Sequence, residues 1–296
     1  MTGRLDRLTL LATFVRIAER GSLSAAARDM DVSQASVSRQ LAALEDMLGA
    51  PLIARTTHAL SLTSDGRAAM ADARRMLGEW DALAERTGRA ALRGTLRVVA
   101  PVALGQTVLM PAALGFLAEH PGVTLGWRLT DEPVRFAEEG CDVWVRVGPV
   151  PDDTLLVREA ASVERLVVAA PDLAGRHADA PLSDWPWEAL GPYEGSRIAL
   201  RDGDGAETAF AARPRLATDN VVALREAAMA GLAAAILPRW FVADALAGGR
   251  LVDAAPSLRA ARLPVHVATA AGTRRPARVE RFVEAIGEAL AGLRSE

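Results

Sequence analysis

From residue 33 the chain reads Ser33-Gln34-Ala35-Ser36-Val37-Ser38-Arg39, small residues interrupted by one glutamine and one arginine about a helical turn apart. Short side chains at the start of a helix let its backbone come close to another surface. A glutamine can pair with the edge of a base, and an arginine can reach a guanine or a phosphate. That is chemistry for a helix entering the major groove of duplex DNA, with Ser33, Gln34, Ala35, Ser36, Ser38 and Arg39 as the candidate contacts. Taken alone, the run also fits a surface helix with a serine-rich start. Its neighbours favour the groove: an alanine-dense segment before it (Ala25, Ala26, Ala27), Gly49 behind it, and a polar stretch from Arg55 to His58 beyond.

The elements that must hold this run are short. Leu8, Leu11, Phe14, Val15 and Ala18 recur at helical spacing. Gly21 ends that helix and Ser22 caps a second, Leu23 to Met30. Asp31 and Val32 turn the chain, and Ser33 caps a third helix to about Leu48, with Val37, Leu41, Leu44 and Leu48 as its apolar stripe. Two helices joined tightly, the first rich in small residues, suit a helix-turn-helix. Leu52 and Ile53, then Leu60 and Leu62, flank the polar stretch as two short strands, a wing whose tip puts Arg55 and Thr57 against the DNA backbone or minor groove.

Thr63 or Ser64 then caps a long helix, about Asp65 to Arg89. Met70, Ala73, Leu77, Trp80, Ala84 and Thr87 step along it by threes and fours, a heptad seam. The seam fits packing against the neighbouring helices or against a second chain. The second is the preferred expectation, with Met70, Ala73, Leu77, Trp80 and Ala84 as the dimer contacts.

From Gly94 the pattern changes to α/β. Strands are expected at Leu96–Ala100, Val123–Leu129, Val143–Val147, Arg165–Ala169, Arg197–Leu200, Ala234–Leu237 and Val265–Ala270. Helices are expected at Leu109–Ala118, around Val134–Glu139, at Val221–Ala230 and at Val279–Leu293. Strand–helix–strand alternation with short linkers implies a parallel sheet.

Of the 296 residues, 50% are hydrophobic and 24% charged, which leaves little room for long disorder and fits two or three domains. The net charge is −3 and all 34 basic side chains are arginine, so DNA binding must come from a local patch and not from a global positive field. A lone cysteine, Cys141, excludes an internal disulfide and a multi-cysteine zinc site. No run approaches the roughly 18 apolar residues of a membrane span, and the N-terminus has no signal-peptide core, so a cytoplasmic protein without membrane contact is expected. Enzyme chemistry finds little support. His58, His120, His177 and His266 fall in separate elements without metal-ligand spacing. Gly195-Ser196 lacks the second glycine of a nucleophile elbow. Thr208 stands where a dinucleotide fingerprint starting at Gly203 needs glycine. No metal, cofactor or catalytic residue is expected.

The chain resembles the LysR-type transcriptional regulators of bacteria. The N-terminal likeness is specific: Phe14, Gly21-Ser22, Ala25-Ala26, Ser33-Gln34-Ala35, Val37-Ser38-Arg39-Gln40, Leu44-Glu45, Leu48-Gly49, Leu52, Arg55, Leu62-Thr63 and Gly66 fall in the family's order and spacing, with Ile53 where Phe is usual. The C-terminal likeness is looser, through Leu96-Arg97-Val98, Ala100 to Gly105, Leu129-Thr130-Asp131, Arg146-Val147-Gly148 and Gly231 to Pro238. The resemblance implies a winged helix-turn-helix over 1–63, a dimerising linker helix over 64–93, and over 94–296 an effector domain like a periplasmic binding protein. That domain has two α/β halves, about 94–162 with 270–296, and about 163–269. The implied partners are promoter DNA, a small-molecule effector and further copies of the chain as a dimer or tetramer, with RNA polymerase a further candidate. A small-molecule-binding protein of the periplasmic type without a DNA role is the rival reading, and it leaves residues 1–66 unexplained.

An effector cleft between the halves is expected to be bordered by Pro101, Val102, Ala103, Leu104, Gly105, Gln106, Thr130, Arg146, Val147, Gly148, Arg201 and Asn220. Ala103 stands where related members often carry a hydroxyl. The wall is therefore mainly apolar, which suits an apolar or aromatic effector. Any anionic group on it would be held by Arg146 or Arg201.

Overall fold

Leu10, Phe14 and Ile17 fall on one face of α1 (Arg7–Arg20) and are fully buried, which is what their three- and four-residue spacing dictates. They meet Ala26 and Ala27 of α2 (Leu23–Asp29) and Val37, Leu41 and Leu44 of α3 (Gln34–Leu48) in one core. The computed structural model describes residues 6–55, 60–87, 92–191, 197–271 and 275–294.

The expected caps are present. Ser22 Oγ accepts from Ala25 N, Ser33 Oγ accepts from Ser36 N, and Gly21 and Gly49 close their helices at φ 59° and 68°. The two-residue turn between α2 and α3 holds Asp31 at φ 53°. β1 (Ile53–Arg55) and β2 (Leu60–Leu62) pair antiparallel as the wing, Ile53 opposite Leu62. α4 (Ser64–Thr87) follows, its first turn capped by Thr63 Oγ1 accepting from Gly66 N at 2.8 Å.

One compact unit of the chain comprises residues 1–94 with two later segments, 134–142 and 272–280. In it, Met70 and Ala73 of α4 are buried in the same core as α1 to α3, with Leu77 packed against its edge. This corrects the uniform seam: its first half packs within the chain. The exposed apolar residues of α4 are instead Met76, Trp80 and Leu83, again four and three apart.

The second unit, 95–133 with 143–271 and 281–296, is built on a nine-stranded sheet. Along the chain come β3 (Arg93–Ala100), α5 (Val102–Thr107), α6 (Leu109–Glu119), β4 (Gly122–Leu129), α7 (Phe136–Glu139, in the first unit), β5 (Val143–Val147), β6 (Leu155–Ala169), α8 (Pro171–Arg176), β7 (Trp187–Leu190), β8 (Arg197–Arg201), β9 (Glu207–Ala211), β10 (Pro214–Thr218), α9 (Val221–Met229), β11 (Ala235–Pro238), α10 (Arg239–Ala247), β12 (Val252–Asp253), β13 (Arg259–Ala270) and α11 (Ala277–Ala291).

The main sheet is mixed, not parallel as the alternation implied. β3 runs parallel to β5, but β13 is antiparallel to β5 and to β6, and β11 is antiparallel to β6. The difference lies in two strands longer than the sequence suggests. β6 runs 15 residues and β13 runs 12, and they pair along most of their length. Residues 155–159 of β6 are mostly exposed, so the apolar period that marks a strand is missing there. Pro264 sits inside β13, a residue that argues against an interior strand. It is tolerated because β13 changes partners there, from β8 at Arg259–Ala260 to β5 at Val265–Ala268. Residues 265–268 thus pair with β5 on one side and with β6 on the other.

Candidate functional site

α3 presents two faces. Val37, Gln40, Leu41 and Leu44 are buried, while Gln34, Ala35 and Arg39 are exposed and Ser36 and Ser38 half-buried. The buried face is fixed by a polar lock as well as by packing: the Thr13 hydroxyl of α1 lies 2.7 Å from Gln40 Oε1. The same hydroxyl lies 2.8 Å from the Thr9 carbonyl of α1, so the pair favours this rotation of α3 because another would take the buried Gln40 amide from its partner. The C-terminal end is tied to the wing, where Glu45 Oε1 accepts from Leu52 N at 2.8 Å and from Ile53 N at 3.1 Å. Gly66 is required for the return from the wing, since a Cβ there would lie 2.0 Å from the Leu52 carbonyl oxygen.

On the exposed face, Ser24 Oγ of α2 donates to Gln34 Oε1 at 3.0 Å. The amide is oriented by a residue not singled out from the sequence; the signal was only a second hydroxyl in the first turn of α2, just after the Ser22 cap. Arg55 lies in β1 opposite Leu60, but its side chain, and Thr57 altogether, fall outside the described residues. The same holds for the side chain of Ala84.

The residues expected at the effector cleft divide. Residues 102–107 form α5, which was not foreseen. It packs on the sheet so closely that a Cβ on Gly105 would lie 2.3 Å from Leu129 Cδ2. Pro101, Ala103, Leu104 and Gly105 are therefore buried beneath the helix, which corrects their assignment as an open wall; Val102, Gln106 and Thr107 face outward in part or whole. Val102 N donates to Asp131 Oδ1 at 3.3 Å, beside Thr130, whose own N–H reaches the Ala100 carbonyl. α5 packs against α9, and Asn220 caps α9 by accepting from Val222 N and Ala223 N. Burial raises the Asp131 carboxyl above its ordinary value against the opposing Val102 hydrogen bond, and Asp219 raises it further. So Val102, Thr130, Asp131, Asp219 and Asn220 are brought together, and the two aspartates were not foreseen.

Gly148, at φ 91°, donates to the Pro264 carbonyl and its own carbonyl lies 2.7 Å from His266 Nδ1. This fixes the end of β5 against β13. Arg146 Nε donates to the Pro149 carbonyl at 2.6 Å, and its guanidinium lies over the Trp144 ring at 5.3 Å. Its burial lowers its pKa from the ordinary value. Arg201 is placed elsewhere. It stands opposite Arg259 on β13, whereas Arg146 stands opposite His266. Seven residues of strand separate the two registers, roughly 23 Å at about 3.3 Å per residue. Arg201 bonds Glu207 across the β8–β9 hairpin and borders a depression of about 590 Å³ lined also by Gly203, Ser257 and Arg262. A second depression, of about 580 Å³, lies between Pro171 and Met229. Neither includes Arg146 or Asn220.

Among the described residues, no group of three or more His, Cys, Asp or Glu side chains is placed to hold a metal ion, and no helix is long and apolar enough to cross a membrane.

A helix-turn-helix with a wing, followed by an α/β domain, is the architecture of a DNA-binding regulator with a ligand-binding domain. Residues 8–67 match the bacterial regulatory helix-turn-helix proteins of the lysR family, and residues 89–291 match the LysR substrate binding domain. The chain belongs to the LysR family of transcriptional regulators. It is 29% identical to the HTH-type transcriptional regulator YhjC of Escherichia coli, over 86% of this chain and 88% of that one. It is also 29% identical to the HTH-type transcriptional regulator PtxR of Pseudomonas aeruginosa, over 97% and 95%. In fold it is similar to full-length LysG of Corynebacterium glutamicum, solved with the effector Arg bound, at TM-score 0.65 and 21% identity over 97% and 99% of the two chains.

Proposed function

We propose that this regulator reads promoter DNA with the exposed face of α3, that two copies pair through the exposed stripe of α4, and that a small molecule between α5 and α9 alters the arrangement of the paired heads. The observation that carries the reading is the orientation of α3. Thr13 and Glu45 lock the helix so that Gln34, Ala35 and Arg39 project together, with Ser36 and Ser38 at the edge. Helix N-termini enter the major groove in this way, and paired heads match two half-sites one helical turn apart. Met76, Trp80 and Leu83 supply the apolar contacts of the pair in place of Met70 and Ala73. The effector meets Val102, Gln106, Thr130 and Asn220, with Arg146 as the remaining cation for an anionic group. Arg201 is left out of that site, and no residue is given a catalytic role.

The test is a selection of bound duplexes from a random pool, followed by a salt-titrated gel shift on the enriched sequence. Sequence-specific binding with a salt slope of several phosphates is expected, and equal affinity for enriched and random duplexes would overturn the reading. A thermal-shift screen of small metabolites on the full chain identifies the effector class through the stabilisation that binding confers.

A further inference from the structure

One face of α4 meets later segments of the chain and not the buried apolar core of α1 to α3. Arg74, Gly78 and Asp81 follow one another at steps of four and three, so they share a stripe. Each meets one of the later segments that belong to the same compact unit, 134–142 and 275–280. Both segments lie within the stretch matched by the effector-domain family.

The contacts are specific. Arg74 NH2 lies 3.4 Å from Glu19 Oε1 of α1, and both side chains are more than four-fifths buried. Its guanidinium also lies against Gly140, so closely that a Cβ there would fall 1.8 Å from NH1. Gly140 holds φ 63° as the cap of α7, so glycine is required twice over. One turn on, Gly78 faces the Pro276 ring, whose Cγ is 3.9 Å from where a Cβ would lie. A further turn on, Asp81 Oδ2 receives Arg278 NH2 at 3.2 Å, and the Arg278 side chain is 7% exposed. Arg278 also packs on Gly94, at φ 97°, where the chain leaves the linker for β3. Two arginines therefore clasp the linker helix. One joins it to α1 and the 134–142 segment, the other to the 275–280 segment.

We infer that Arg74 and Arg278 are positioning residues that hold the linker helix to the effector-domain segments and thereby set the placement of the paired DNA-reading heads. A buried arginine ion-paired to a carboxylate and packed on glycine has a narrow set of geometries. A displacement of either segment is thus passed to α4 as a change in its direction. The inference rests on the DNA-reading role given above and deepens it with the route of regulation.

The experiment compares affinity for a full selected site with affinity for one half-site of it, using the full chain without added ligand. Half-site binding depends on a single head, α3 with its wing; full-site binding depends also on how the two heads are placed. Arg278→Ala and Asp81→Ala are expected to shift the full-site to half-site ratio by about fivefold or more, the lower end of ordinary coupling between sites. Both should shift it in the same sense, with the double variant no further displaced than either single one. Arg278→Lys is expected to restore much of the ratio, and Arg74→Ala to shift it independently. Asp81→Asn, at the more exposed partner, serves if an Arg278 variant does not fold. Unchanged ratios in folded, paired Asp81 and Arg74 variants overturn the inference while leaving DNA reading intact. Losses equal on full and half-sites also overturn it, since they report damage to the heads themselves. A wild-type chain that enriches no duplex overturns the DNA-reading role and this inference with it.

Discussion

Glu188 is 5% exposed in the middle of β7, beside the fully buried Trp187, and neither carboxylate oxygen has a hydrogen-bond partner among the described residues. Its backbone N–H is satisfied by the Ala234 carbonyl at 2.9 Å, so the strand holds the side chain inside whatever its charge. Burial pushes its pKa from 4.5 up to about 8. The folded chain therefore keeps a proton that the unfolded chain releases near pH 4.5. With a raised carboxyl pKa, stability is fully present below the unfolded value and falls as pH rises, by about 1.4 kcal/mol per pH unit, until the folded group also ionises. At pH 7.5 the accumulated cost is three such steps, about 4 kcal/mol. Glu188→Gln keeps the shape and removes the titration. The variant is expected to be more stable than wild type by about 3 kcal/mol at pH 6.5, the difference growing to about 4–5 kcal/mol near pH 8 and levelling above it. Hydrogen exchange of peptides covering residues 185–191, followed by mass spectrometry from pH 6.5 to 9 with intrinsic rates corrected, reads the local opening free energy. Parallel pH profiles for wild type and Glu188→Gln would falsify the argument, because the carboxyl would then have to be charged or solvated in the folded state.

Three further outcomes are expected. Gln34→Ala should cost about 1–3 kcal/mol on a selected DNA site and little on random duplex, measured by gel shift; equal losses on both would mean that the side chain does not read bases. Trp80→Glu with Met76→Glu should dissociate the pair in light scattering at micromolar concentration without moving the thermal transition of the α/β domain, whereas Met70→Glu should unfold the N-terminal core. A dimer that survives the first change places the interface elsewhere. Gly105→Ala should lower stability by about 1–3 kcal/mol in thermal unfolding, because its Cβ must displace the Leu129 side chain; an unchanged transition would show that α5 is free to lift.

The helical N-terminal region was legible from the sequence because its signals are local. Gly21, Ser22, Ser33 and Gly49 act within one turn of themselves, and the period of Leu10, Phe14 and Ile17 names the buried face without reference to any partner. The family order of Gln34 to Gln40 came with that same local pattern, as did the heptad spacing on α4. What the spacing could not say is which partner each part of the seam meets. Met70 and Trp80 look alike in a period, yet one lies in the chain's own core and the other is open, because the core of α1 to α3 ends a turn short of Trp80.

In the α/β domain the sequence determined the strands with an apolar run covered on both faces, such as Val143 to Val145 at the start of β5, since continuous burial leaves a continuous apolar run. It did not determine β6 and β13, whose crossing portions face water and alternate with no apolar period. Registry along β13 then decided that Arg146 and Arg201 are far apart, although both end strands and both carry the same charge. Packing of α5 decided that Ala103 and Leu104 are buried. Folding alone brought Asp131 near Asp219, and Arg278 onto Asp81. Such pairs are set by where distant segments meet, and a one-dimensional pattern carries periods and caps but no distances between residues far apart in the chain.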